Sequence, residues 1–121
     1  MENNGIVSVW AVCGFTEDEL EEYTEYDYDN DRPSRFCLDN GVNDEDIDED
    51  FMESAVRENA VSTAEELLAD CSYYDSFIAE FSGKTLPENC NGAILVYNYE
   101  YDGNKVENAR VVFLGTAEYD L

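Results

Sequence analysis

The segments Ala93–Tyr101 (A-I-L-V-Y-N-Y-E-Y) and Arg110–Tyr119 (R-V-V-F-L-G-T-A-E-Y), separated by a stretch that begins Asp102-Gly103-Asn104, decide how this chain is read. Both are rich in β-branched and aromatic residues, and D-G-N is a strong tight-turn signal. Together they predict a β-hairpin. Gly5–Cys13 (G-I-V-S-V-W-A-V-C) is almost continuous in apolar character, as a central strand covered on at least one face must be. Strand and hairpin together predict an α+β fold: two layers, with an antiparallel sheet of three or more strands covered by helices on one face. At 121 residues the chain fits one domain, 1–121, able to bury roughly two-thirds of its unfolded surface.

Working outward, Gly14 ends the first strand and Thr16 starts a helix. Thr16 and Glu19 have capping-box spacing, and Phe15 with Leu20 has the spacing of a hydrophobic staple. The inward stripe is narrow, with Leu20, Tyr23 and Thr24. The rest of the helix circumference is acidic and must be wet. After the loop Tyr26–Pro33, a short helix is predicted over Ser34–Asn40, with Phe36, Cys37 and Leu38 inward and Gly41 as its cap. Asn43–Glu53 reads as an acidic loop running into a short segment pinned by Ile47, Phe51 and Met52. Ser62 with Glu65 reads as a second capping box, for a helix from about Thr63 to Asp70 that buries Leu67, Leu68 and Cys71. Ser72 with Asp75 opens a further helix, whose stripe is Phe77, Ile78 and Phe81 and which Gly83 closes. No internal repeat or linker is visible.

The charge is lopsided. Thirty acids stand against 6 bases, a formal net charge of -24. Phosphate binding needs clustered Lys and Arg, so direct binding to nucleic acid or an anionic membrane is disfavoured. Such a field attracts and steers basic proteins instead. With nine tyrosines and six phenylalanines, the chain is also unlike the aromatic-poor acidic tails that stay disordered.

The acids concentrate in Phe15–Asp31, where nine residues are acidic and none is basic. Like charges at i,i+4 (Glu17/Glu21, Asp18/Glu22, Glu21/Glu25) each weaken a helix by a few tenths of a kcal/mol. A face this dense therefore works against its own helix unless a partner uses it. Glu17, Asp18 and Glu19 serve the helix start, where the dipole favours negative charge. That leaves Glu21, Glu22, Glu25, Tyr26, Asp27, Tyr28, Asp29 and Asp31 as candidate partner-binding residues. The second block, Asp44, Glu45, Asp46, Asp48 and Asp50, assists. Repeated carboxylates imitate phosphate spacing, and the tyrosines add residues enriched in interface hot spots. Solubility is the competing explanation, since net charge is itself a solubility device.

Other chemistry finds little support. The chain has no histidine, so the commonest general base and metal-ligand partner is missing and Ser or Cys triads lack their activator. Chance pairs among so many acids make a two-carboxylate site a weak inference. Asp27/Asp29/Asp31 and Asp44/Asp46/Asp48 both start like calcium loops. The required glycine is replaced by Arg32 or Glu49, and the closing glutamate by Leu38 or Ala55. No glycine cluster forms a phosphate loop. No cofactor, metal site or catalytic residue is expected, and Trp10 reads as core. Cys13, Cys37, Cys71 and Cys90 have no C-x-x-C spacing, which argues against structural zinc. An even count allows two disulfides, but the M-E-N-N-G start shows no secretion signal, so buried free thiols in a reducing cytoplasm are expected.

Taken in order, G-I-V-S-V-W, G-F-T-E-D-E-L-E-E-Y, S-R-F (34–36), D-E-D-F-M-E (48–53), S-Y-Y-D-S-F-I (72–78), A-I-L-V-Y-N-Y and F-L-G-T-A-E-Y resemble immunity protein family twenty-two. The resemblance runs over nearly the whole chain. It implies a small acidic α+β protein, without catalytic residues, that binds and neutralises a cognate toxin of a bacterial polymorphic toxin system in the producer's cytoplasm. Such a toxin is expected to present a basic surface, as a nuclease does. The alternative is an acidic nucleic-acid mimic that regulates a host DNA- or RNA-binding protein.

Overall fold

The computed structural model describes residues 2–25, 29–40, 42, 52–57, 59–69, 71, 77–81, 86, 90–101 and 111–119. Four strands form one sheet: β1 (Glu2–Cys13), β2 (Met52–Val56), β3 (Cys90–Tyr99) and β4 (Val111–Glu118), in the order β2-β3-β1-β4. Every adjacent pair is antiparallel. The helices are α1 (Glu17–Thr24), α2 (Arg35–Asn40) and α3 (Ala64–Leu68), with a 3-10 turn at Ile78–Phe81. The α+β class with an antiparallel sheet is therefore what the chain adopts.

The expected hairpin is not. β3 and β4 both pair with β1, from opposite sides, so they run parallel to each other and never meet. The reason lies in burial. Val7, Val9, Trp10, Ala11 and Val12 are at most 1 % exposed, so β1 has no polar face to offer at a sheet edge. It takes the interior, beside β3, which is also buried on both faces. The half-covered strands β2 and β4 take the edges. Asp102, Gly103 and Asn104 lie outside the described residues.

The helices also divide between the two faces rather than covering one. Alternation along β1 sends Val7, Val9, Ala11 and Cys13 to one side, where Ala64, Leu67, Leu68, Cys71, Phe77 and Phe81 join them. Trp10 and Val12 point to the other, against Leu20, Phe36, Cys37 and Tyr101. A strand that is apolar on both faces needs cover on both, so one helical layer cannot suffice. Trp10 is core as expected, ringed by Phe36 (4.9 Å), Tyr101 (5.2 Å) and Phe113 (5.2 Å).

Smaller differences have local causes. The acidic block ends in the edge strand β2, which brings the sheet of three or more strands to four and which the sequence does not single out as a strand. Its M-E-S-A-V sequence is short and lacks a clear alternation. Helix α3 is capped by Thr63, whose Oγ1 accepts from Glu66 N at 3.2 Å, one residue later than the Ser62/Glu65 reading. Both frames offer a hydroxyl followed by a glutamate, and the burial of Ala64, Leu67 and Leu68 selects the second. Leu38 points outward at 56 % exposure. Its neighbours Phe36, Cys37 and Asn40 fill the inner side of α2. Gly41, the Ser72/Asp75 cap and Gly83 lie outside the described residues.

Candidate functional site

The acidic helix starts as its sequence dictates. Thr16 Oγ1 accepts from Glu19 N at 3.1 Å, and the Glu19 carboxylate accepts from Thr16 N at 3.1 Å, completing the capping box. Phe15 and Leu20 are both buried in the same cluster. Tyr23 packs against Phe15 (ring centroids 5.3 Å), and its hydroxyl accepts from Asn40 Nδ2 at 3.1 Å, tying α1 to α2. Thr24 folds back to donate to the Leu20 carbonyl. These contacts orient one side of α1 inward.

The opposite side carries the candidate residues. Glu21 and Glu22 are exposed on α1, together with Glu17 and Asp18, and Glu25 is exposed at its C-cap. None of the five makes an ion pair among the described residues. Asp29 and Asp31 are exposed in the turn that follows, with Asp31 at φ 51°, a left-handed conformation that aspartate tolerates better than most residues. The structure thus places Glu21 and Glu22 on one short helix, Glu25 at its C-cap in extended conformation, and Asp29 and Asp31 downstream. Tyr26, Asp27, Tyr28, Asp44, Glu45, Asp46, Asp48 and Asp50 lie outside the described residues.

What positions α1 is a corner that sequence reading passed over. The last residue of β1, Cys13, is the register partner of the first residue of β3, Cys90, and the two are joined as a disulfide. The expectation of free thiols is corrected for this pair, while Cys37 and Cys71 are buried and in no disulfide. Separated by 77 residues, the two cysteines meet only because β1 pairs with β3, which no local spacing reveals. Between Cys90 and Gly92 the register shifts, leaving Asn91 as an extra residue in β3. Its Oδ1 accepts from Gly14 N and Phe15 N, and its Nδ2 donates to the carbonyls of Phe15 and Arg57. Gly14, at φ 71°, makes the turn from strand to helix. Gly92 admits no side chain, because a Cβ there would lie 2.7 Å from the Ala55 carbonyl oxygen and 2.8 Å from Val12 Cγ2.

Elsewhere the polar chemistry is structural. Ser8 is buried, donating to the Tyr99 carbonyl and accepting from Tyr101 N. Tyr97 donates to Glu53 Oε1 at 2.6 Å; burial first, and this carboxylate second, push its ionisation well above the usual tyrosine range. Among the described residues, no group of three or more Cys, Asp or Glu side chains is placed to hold a metal ion, and no helix is long and apolar enough to cross a membrane.

Neither the curated proteins nor the solved structures gave a match. A family model does match, over residues 7–120, and so takes in every strand and helix described above except the first five residues of β1. The chain belongs to the family described as Immunity protein 22.

Proposed function

We propose that this protein neutralises a cognate bacterial toxin by binding it, without chemistry of its own, through the acidic outer side of α1 and the turn after it. Family membership supplies the class of function. The observation that supports this placement is that the exposed carboxylates of Glu21 and Glu22, and of Glu25 at the C-cap, have no ion pair among the described residues, on and beside a helix whose inner side is committed to the fold. The partner is a toxin domain of a polymorphic toxin system with a basic surface, of the kind a nuclease presents to its substrate. Carboxylates stand in for phosphates, steering sets the association rate, and tyrosines around Tyr26 and Tyr28 supply the tight contacts. The second acidic block, Asp44 to Asp50, extends the same negative field. The encounter takes place in the cytoplasm of the cell that makes the toxin.

The test is charge reversal. The cognate toxin, sought first among the genes neighbouring this one, is co-expressed with the chain carrying Glu22→Lys, Glu25→Lys, Asp29→Lys and Asp31→Lys, and folding is checked by circular dichroism. Loss of protection with the fold intact is expected; full protection would remove the binding site from α1. Association should slow as salt rises. A salt-independent rate would argue against a charged interface, and capture of a host nucleic-acid-binding protein in place of the toxin would favour the mimic reading.

A further inference from the structure

We infer that Cys13 and Cys90 form a reversible dithiol–disulfide couple that sets how firmly the acidic helix is anchored to the sheet. Its consequence for the partner rests on the binding reading above; the couple itself does not. Three observations carry it. The two residues are direct register partners with Cα atoms 3.9 Å apart, at the rim where β1 gives way to the α1 turn. The corner holds together by other means: Asn91 binds Gly14, Phe15 and Arg57, the Asn91 carbonyl accepts from Arg57 N, and the Cys90 carbonyl accepts from Val61 N at 2.9 Å. Both redox forms therefore fit one fold, because opening the bond leaves these strands in register. Both are buried, but Cys13, at 8 % exposure and next to exposed Gly14, is less enclosed than Cys90 at 0 %, which assigns Cys13 to meet the reagent as the turn opens and Cys90 to resolve.

With a small-molecule disulfide such as oxidised glutathione, the Cys13 thiolate attacks one sulfur and releases one glutathione thiolate. The Cys90 thiolate then attacks Cys13 Sγ in the mixed disulfide and releases the second. The protein gives up two electrons and two protons, and the oxidant becomes two thiols. Closing this bond ties the residue before Gly14 to β3, which restrains the turn that aims α1.

The full chain, reduced under native conditions, is titrated with glutathione redox buffers, its thiols are counted by alkylation and mass, and exchange of the Gly14 and Phe15 amides is followed in both forms. Two of the four thiols should disappear in one step, without a retained glutathione adduct and with peptide mapping to Cys13–Cys90. Amide exchange should be about tenfold faster in the reduced form, as local opening requires. A persistent adduct on Cys13, both thiols staying alkylatable, or equal exchange rates would each overturn the couple. Unfolding on reduction would make the bond a permanent staple and overturn it too. The variant Cys13→Ser with Cys90→Ser should exchange like the reduced form; should it not fold, the reduced wild type is the comparison. These readouts need no toxin, so their failure is distinct from failure of the charge-reversal test.

Discussion

The side chain of Asn91 holds both ends of Phe15: Oδ1 accepts from the Phe15 amide at 3.3 Å and Nδ2 donates to the Phe15 carbonyl at 2.7 Å. One residue of β3 thus fixes the point from which the acidic helix departs. Asn91→Ala should destabilise the protein by about 2–3 kcal/mol, since part-buried backbone groups lose their partners. Asn91→Asp should not restore stability, because an ionised carboxylate accepts but cannot donate to the Phe15 and Arg57 carbonyls. Denaturant titration of both variants checks this.

Gly92→Ala should cost about 1–3 kcal/mol through overpacking against the Ala55 carbonyl and Val12. The obstacle at 2.7 Å is backbone, which cannot rotate aside. A thermal melt indistinguishable from wild type would contradict the close approach of β2 and β3 at this point.

Thr16→Ala should cost about 1 kcal/mol by removing the acceptor for Glu19 N. The loss should be expressed locally, as faster amide exchange in the first turn of α1.

Glu21→Lys separates folding from binding. It replaces repulsion with Glu17, one turn earlier on α1, by attraction, so stability should rise by a few tenths of a kcal/mol. Toxin association should nevertheless slow. A variant that is both more stable and fully protective would show that Glu21 faces away from the partner.

Tyr97 gives a pH signature. Its folded ionisation is raised, so the unfolded chain releases this proton first, near pH 10, and the folded chain holds it. The contribution of Tyr97 is then complete below about pH 10 and falls above it by up to about 1.4 kcal/mol per pH unit. Tyr97→Phe should flatten the alkaline limb of the stability profile, measured by denaturation between neutral and strongly alkaline pH.

Legibility in the sequence tracked the range of the interaction. Thr16, Glu19, Phe15 and Leu20 meet within one helical turn, and their arrangement could be read directly. The strand character of β1, β3 and β4 was equally plain. Which strand lies beside which was not, because D-G-N reports only local turn chemistry, whereas the order follows from where a strand apolar on both faces can be buried. Asn91 and the Cys13–Cys90 pair escaped for the same reason: their partners lie 34 to 77 residues away. At the acidic face the sequence supplied both the charges and the inward stripe of Leu20 and Tyr23, and the structure added what that stripe meets, Phe15 and Asn40 against Tyr23.

The sheet order also has a consequence in time. The strand synthesised first, β1, has both of its neighbours, β3 and β4, among the last parts of the chain to be made. A ribosome therefore exposes an apolar strand long before anything can pair with it, and closure must await sequence-distant contacts, which are slow to form. Nascent chains arrested before Val111 should be protease-sensitive along β1, and the protein should become resistant only once β4 has emerged.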